Sequence, residues 1–201
     1  MHTGSRLALW LTLLLLAGCA GMAPREPTSP DWQAHRAQLE ALQQWTATGK
    51  IALRTSNASE SASMVWRQDH HNTQLQLSGP LGVNATTMES DGHSLHIRRG
   101  DEHQTLDIST PEAIFESTGW DLPLPALVHW LKGLPAPDPG VERLGFDEQT
   151  GLLRYVRQDD WEVHYEQYGQ FEGVTLPVKL QIERGATRVK VIVASWDTTA
   201  H

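Results

Sequence analysis

The sequence predicts a mainly β protein, a curled antiparallel barrel or half-barrel of eleven strands accompanied by three short helices. Three observations carry that expectation. From Trp45 onward apolar residues recur with a period of two, in short runs broken by Ser, Asn, Asp or Gly clusters. The connections between runs are short, which suits neighbouring strands that reverse direction. The opposite face is strongly polar in runs such as 176–183 and 161–166, so it meets water and not lipid, unlike the wall of an outer-membrane pore. So many twisted strands curl or close rather than stay flat.

The first eighteen residues stand apart from this domain. His2 and Arg6 precede the apolar run Leu7 to Leu16, and Ala17 and Gly18 follow it, the order of a secretory signal. Ten apolar residues fall short of the roughly 20 that a spanning helix needs. The sole cysteine, Cys19, ends "LAGC", which resembles the lipobox of bacterial lipoproteins. In that resemblance Cys19 becomes the first mature residue and carries an S-linked diacylglycerol and an N-palmitoyl chain. One acyl chain holds a membrane marginally, at about 0.8 kcal/mol per buried CH2, whereas two or more anchor stably. Residues 19–30 are Pro-rich and read as a flexible tether. Ala20 stands where such lipoproteins carry an inner-membrane retention Asp, so the inner leaflet of the outer membrane, facing the periplasm, is the expected location.

Residues 31–201 are expected to form a single domain. Asp31 caps a helix over Asp31–Gln44, in which Trp32, His35, Leu39 and Leu42 recur at helical spacing. Strands follow at 45–54, 61–68, 73–79, 83–89, 93–98 and 102–108. Thr110-Pro111-Glu112 opens a short helix over Ala113–Ser117. Pro125 opens another, "PALVHWLK", which Gly133 closes. The remaining strands fall at 141–146, 152–157, 161–168, 174–183 and 187–196. In the last, Val189, Val191 and Val193 share one face while Ile192, Ala194 and Trp196 share the other. A helix is expected to cover that second face.

Charge and motifs exclude several function classes. Without Arg6 the chain carries 15 basic and 24 acidic residues, a balance that disfavours nucleic acid and electrostatic binding to anionic lipid. With a lone cysteine there is no disulfide framework. His93 and His96 point to opposite faces of a strand, and Asp69-His70-His71 and Asp159-Asp160 read as turns. No nucleophile elbow, phosphate loop or dinucleotide fingerprint occurs. No catalytic residue, metal or cofactor is therefore expected, and a monomer is.

The apolar inventory is more informative. Seven tryptophans follow Cys19, and a curl of this size is wide enough to leave space inside. They either fill an ordinary core or wall a cavity for an apolar ligand, for which an acyl chain is the natural candidate. Pro80-Leu81-Gly82 reads as a three-residue hairpin loop, with Pro80 at the first turn position and Gly82 in the left-handed one. Leu81 then sits at the tip, outside the ladder.

Taken in order, "LAGC" (16–19), "DWQAH" (31–35), "GKIAL" (49–53), "MVWRQ" (64–68), "GPLG" (79–82), "LPLPALVHWLKGLP" (122–135), "WEVHYEQY" (161–168), "LPVKLQI" (176–182) and Trp196 resemble the LolB family. The resemblance implies an incomplete β-barrel with helices lidding an apolar cavity. It also implies a receptor that takes lipoproteins from the periplasmic carrier LolA and inserts them into the outer membrane without ATP. Trp66, Trp130, Trp161 and Trp196 match family tryptophans and become the candidate acyl-chain cavity. Leu81, between Pro80 and Gly82, matches the projecting leucine needed for membrane transfer. An anchored scaffold lipoprotein with an aromatic core, or a tethered periplasmic enzyme, remains the alternative.

Overall fold

The computed structural model describes residues 30–79, 85–108, 124–138 and 140–199. Two helices and eleven strands are described: α1 (Pro30–Ala41), β1 (Gln44–Arg54), β2 (Ser59–Asp69), β3 (Asn72–Ser78), β4 (Thr86–Ser90), β5 (Ser94–Arg99) and β6 (Glu102–Asp107), then α2 (Leu124–Lys132), β7 (Arg143–Phe146), β8 (Leu153–Gln158), β9 (Trp161–Phe171), β10 (Val174–Arg184) and β11 (Thr187–Asp197). The strands form one antiparallel sheet in the order β6-β5-β4-β3-β2-β1-β11-β10-β9-β8-β7. β1 and β11 pair at its middle, and β6 and β7 are its two unjoined edges. The sheet is thus an unclosed barrel of eleven strands, as the periodicity requires. The signal segment, Cys19 with its tether, Pro80-Leu81-Gly82 and the expected helix at 113–117 lie outside the described residues.

The turns follow from residue type. Asp159 and Asp160 both have positive φ and join β8 to β9 as a two-residue hairpin loop, whose strand twist matches the sheet. Glu172-Gly173 does the same between β9 and β10. Helix α1 stops at Ala41, three residues before the expected end, because Gln44 already pairs with Asp69 in the β1–β2 ladder.

One expectation fails, and a bulge is the reason. The β1–β11 register runs Thr48↔Ser195 and then Gly49↔Val193, leaving Ala194 as an extra residue. The insertion swaps the face of everything beyond it. Trp196 therefore turns inward with Val189, Val191 and Val193, and all four are buried. Ile192 stays 44% exposed, and among the described residues no helix covers the outer face there. The bulge needs the glycine opposite, since a Cβ at Gly49 would stand 2.0 Å from the Ile192 carbonyl oxygen. A second irregularity, around Pro177, places a residue without an N–H donor where the β9–β10 ladder is already interrupted.

Both helices lie on the inner face and pack across β10. Helix α2 ends in a Schellman motif: Leu134 N–H donates to the His129 carbonyl at 3.1 Å and Gly133 N–H to the Trp130 carbonyl at 3.0 Å, with Gly133 at φ 87°. The fully buried Gln158 of β8 holds this end down. Its Oε1 accepts from the Trp130 indole and the Ala136 N–H, each at 2.9 Å, and its Nε2 donates to the Ala136 carbonyl at 3.0 Å. The Tyr165 hydroxyl donates to the Trp130 carbonyl at 2.9 Å. Under the helices the β8–β10 half is filled solid by Leu153, Val156, Trp161, Val163, Leu180 and Ile182. The space inside the curl is therefore displaced to the other half.

Candidate functional site

Two parallel rows of residues cross the inner face of the β1–β6 half. In the first, direct cross-strand partners run Trp196, Ala47, Trp66, Leu75, Met88, Ile97 over six consecutive strands. Every member is apolar, and neighbours in such a row support one another by contact. In the second, one step nearer the β2–β3 turn, the partners run Trp45, Gln68, Thr73, Ser90, Leu95, Leu106. Its middle is polar. Gln68 is buried but satisfied: its Oε1 accepts from the Trp66 indole at 3.2 Å and the Thr73 hydroxyl at 2.7 Å, while its Nε2 donates to the His70 carbonyl at 2.9 Å.

These rows form one wall of a cavity of about 340 Å³, within the range of roughly 300–1,000 Å³ typical of ligand pockets. Trp45, Trp66, Leu75, Met88, Leu95 and Ile108 supply its apolar sheet side. Pro125, Val128, His129, Lys132 and Leu134 of the α2 segment face them, with Glu40, Leu42 and Gln43 from the end of α1. Gln68, Thr73 and Ser90, with His70, His71 and Gly92 of the adjoining turns, give it a polar end. The cavity is thus graded from an apolar wall to a polar rim.

Lys132 sits where the two helix ends meet. It is 5% exposed, and its Nζ donates to the carbonyls of Leu42 at 2.9 Å and Leu39 at 3.1 Å, capping the last turn of α1. Burial lowers its pKa from 10.5 to about 8, opposed by the Glu40 carboxylate, so the ammonium is still charged at neutral pH. Burial, helped by the Lys132 charge and opposed by Glu40, also holds His129 below the usual imidazole range. Its neutral form is the one that suits an apolar lining.

Of the tryptophans expected to surround an acyl chain, Trp66 lines this cavity. Trp196 is not a lining residue but packs edge-on against Trp45, which is, with ring centroids 5.2 Å apart. Trp130 and Trp161 are not lining residues. They pack together at 6.2 Å in the filled half, where Trp130 anchors α2 and Trp161 lies beneath the Arg184 guanidinium. Trp45, which the sequence reading leaves out of the site, lines the cavity beside Trp66, their rings 6.0 Å apart. Its inward parity with Ala47 and Ile51 was the available signal. Lys132 gave no such signal, because a lysine in the last turn of a helix ordinarily reads as a solvated cap.

Elsewhere Glu162, His164 and Glu183 bring ligand-type atoms within 4.8 Å of one another on the outer sheet face. Arg157 already binds Glu162 at 3.1 Å and Arg188 binds Glu183 at 2.8 Å. The arrangement works as a cross-strand ion network.

Comparison with known proteins agrees with this architecture. The family described as "Outer membrane lipoprotein LolB" matches residues 43–196. An outer-membrane lipoprotein LolB of Chromohalobacter salexigens is 35% identical over 195 residues, covering 94% of this chain and 89% of the relative. One from Alkalilimnicola ehrlichii is 36% identical over 199 residues, covering 98% of each. Among solved structures, a LolA-superfamily protein from Nitrosomonas europaea shares the fold, with a TM-score of 0.51 at 10% identity over 84% of this chain and 94% of its own. A match that runs from β1 through α2 to β11, together with relatives of this similarity over nearly their whole length, establishes that the chain belongs to the LolB family of outer-membrane lipoproteins.

Proposed function

We propose that this protein is a receptor that takes lipoproteins from a LolA-type periplasmic carrier, houses acyl chain in the cavity and passes the cargo into the inner leaflet of the outer membrane. Residues 31–201 act as a single lipid-binding domain and work as a monomer. Cys19, carrying diacylglycerol and palmitate, anchors it facing the periplasm through the 19–30 tether. The observation that carries this reading is the stretch Trp66, Leu75, Met88 within the apolar row from Trp196 to Ile97, which borders open space and not packed core. No catalytic step is part of it.

The physics of transfer asks for a cavity of this kind. Each buried CH2 is worth about 0.8 kcal/mol, so an acyl chain is held firmly in any apolar site. What moves cargo is the difference between successive sites, and a favourable series drives one-way flow without an energy source. A half-filled curl with a polar rim holds a chain without enclosing it completely.

An environment-sensitive apolar dye tests the proposal. Saturable binding that an acylated peptide displaces, and its unacylated form does not, supports an acyl-chain site. Absence of saturable binding returns Trp45 and Trp66 to the role of ordinary core and favours the scaffold reading.

A further inference from the structure

Among the described residues lining the cavity, the buried charge is Lys132, and it has a donor to spare. Lysine carries three N–H donors. Two of those on Lys132 go to the Leu39 and Leu42 carbonyls, and among the described residues the third has no acceptor. Several of the other polar groups at this end are engaged elsewhere. Gln68 serves Trp66, Thr73 and His70, Glu40 pairs with Arg36 at 2.7 Å, and His70 pairs with Asp69 at 2.7 Å. Neighbouring His129 is disfavoured as a cation by burial. A buried ammonium with an open donor is costly in an apolar wall unless a ligand completes it.

We propose that Lys132 recognises the polar end of the bound acyl group, donating its free N–H to an ester carbonyl or carboxylate oxygen while the hydrocarbon lies along Trp66, Leu75 and Met88. This rests on the acyl-chain reading above and adds a direction to it: head at the Lys132 end, tail toward the apolar row. A carbonyl at that point completes the ammonium's third bond. A carboxylate adds charge to the same bond and is held more tightly.

The test compares three fluorescent ligands on the purified lipidated protein in nanodiscs, with empty nanodiscs as blank and tryptophan-to-probe energy transfer as readout. They are cis-parinaric acid, its methyl ester and diphenylhexatriene, which supply a carboxylate, an ester carbonyl and no acceptor. The wild type should bind them in that order of affinity. Lys132→Met should lower affinity for the acid roughly tenfold or more and weaken the ester less, with diphenylhexatriene unchanged. Lys132→Arg should restore the preference for the acid. If Lys132→Met keeps the wild-type ranking, or loses all three ligands together, the lysine serves only to join the helices and the inference is wrong. If the wild type binds none of the three, the cavity reading itself fails.

Discussion

Single residues carry three of the predictions. At Gly49 a Cβ would overlap the Ile192 carbonyl at 2.0 Å, and the obstacle is backbone. Gly49→Ala should therefore cost roughly 3 kcal/mol or more in urea unfolding, well beyond an ordinary surface change. Lys132 couples stability to pH. Its folded pKa of about 8 lies below the ordinary 10.5, so between these values the unfolded chain binds more protons than the folded one. Stability attributable to this group should rise, by about 2–3 kcal/mol, as pH climbs from about 8 to about 10.5, and Lys132→Met should remove that slope. Leu81 is a proposal about one step. A lone leucine buries only about 1.5–3 kcal/mol of transfer energy, too little to anchor a protein but enough to favour contact with a bilayer to which the proposed lipid anchor at Cys19 would hold it. Leu81→Glu should leave folding and cargo acceptance intact while slowing release into liposomes; loss of folding or acceptance would return Leu81 to the core.

At the scale of elements, the docking of α2 decides whether the cavity has a second wall. Gln158 satisfies the Trp130 indole and both backbone groups of Ala136 from one side chain. Gln158→Ala would leave three buried polar groups without their partner, at about 1–3 kcal/mol each before water relieves some of it. A loss of roughly 2–4 kcal/mol is expected from urea midpoints, accompanied by weaker binding of apolar dye, because Val128 and Lys132 ride on the same helix. The strands themselves were legible in the sequence, because a half-buried sheet writes its alternation into apolar and polar residues. Parity cannot reveal a bulge, which is why alternation alone puts Trp196 on the face of Ile192 and Ala194 while the family resemblance puts it inside. Nor does alternation distinguish an inward residue beside a cavity from one in solid core. Trp130 and Trp161 are as apolar and inward as Trp66, and what separates them is which half of the curl the helices fill.

The whole molecule is organised by the pairing of its first and last strands. β1 and β11 meet at the centre of the sheet, so the apolar row begins on β11 at Trp196 and continues from Ala47 through Trp66 to Ile97. The filled half supports the helices, and the open half holds the space. This division suits the proposed acyl-chain site, which must keep hydrocarbon from water yet stay open enough to release it. The measurement that tests this most directly is transfer from a LolA-type carrier loaded with a labelled, acylated lipoprotein, followed without ATP. It compares the wild-type protein with a Met88→Lys variant that puts a charge on the apolar row. The account predicts that label leaves the carrier for the wild type and stays behind with the folded variant. Label that stays on the carrier with both, or reaches both equally, would contradict it.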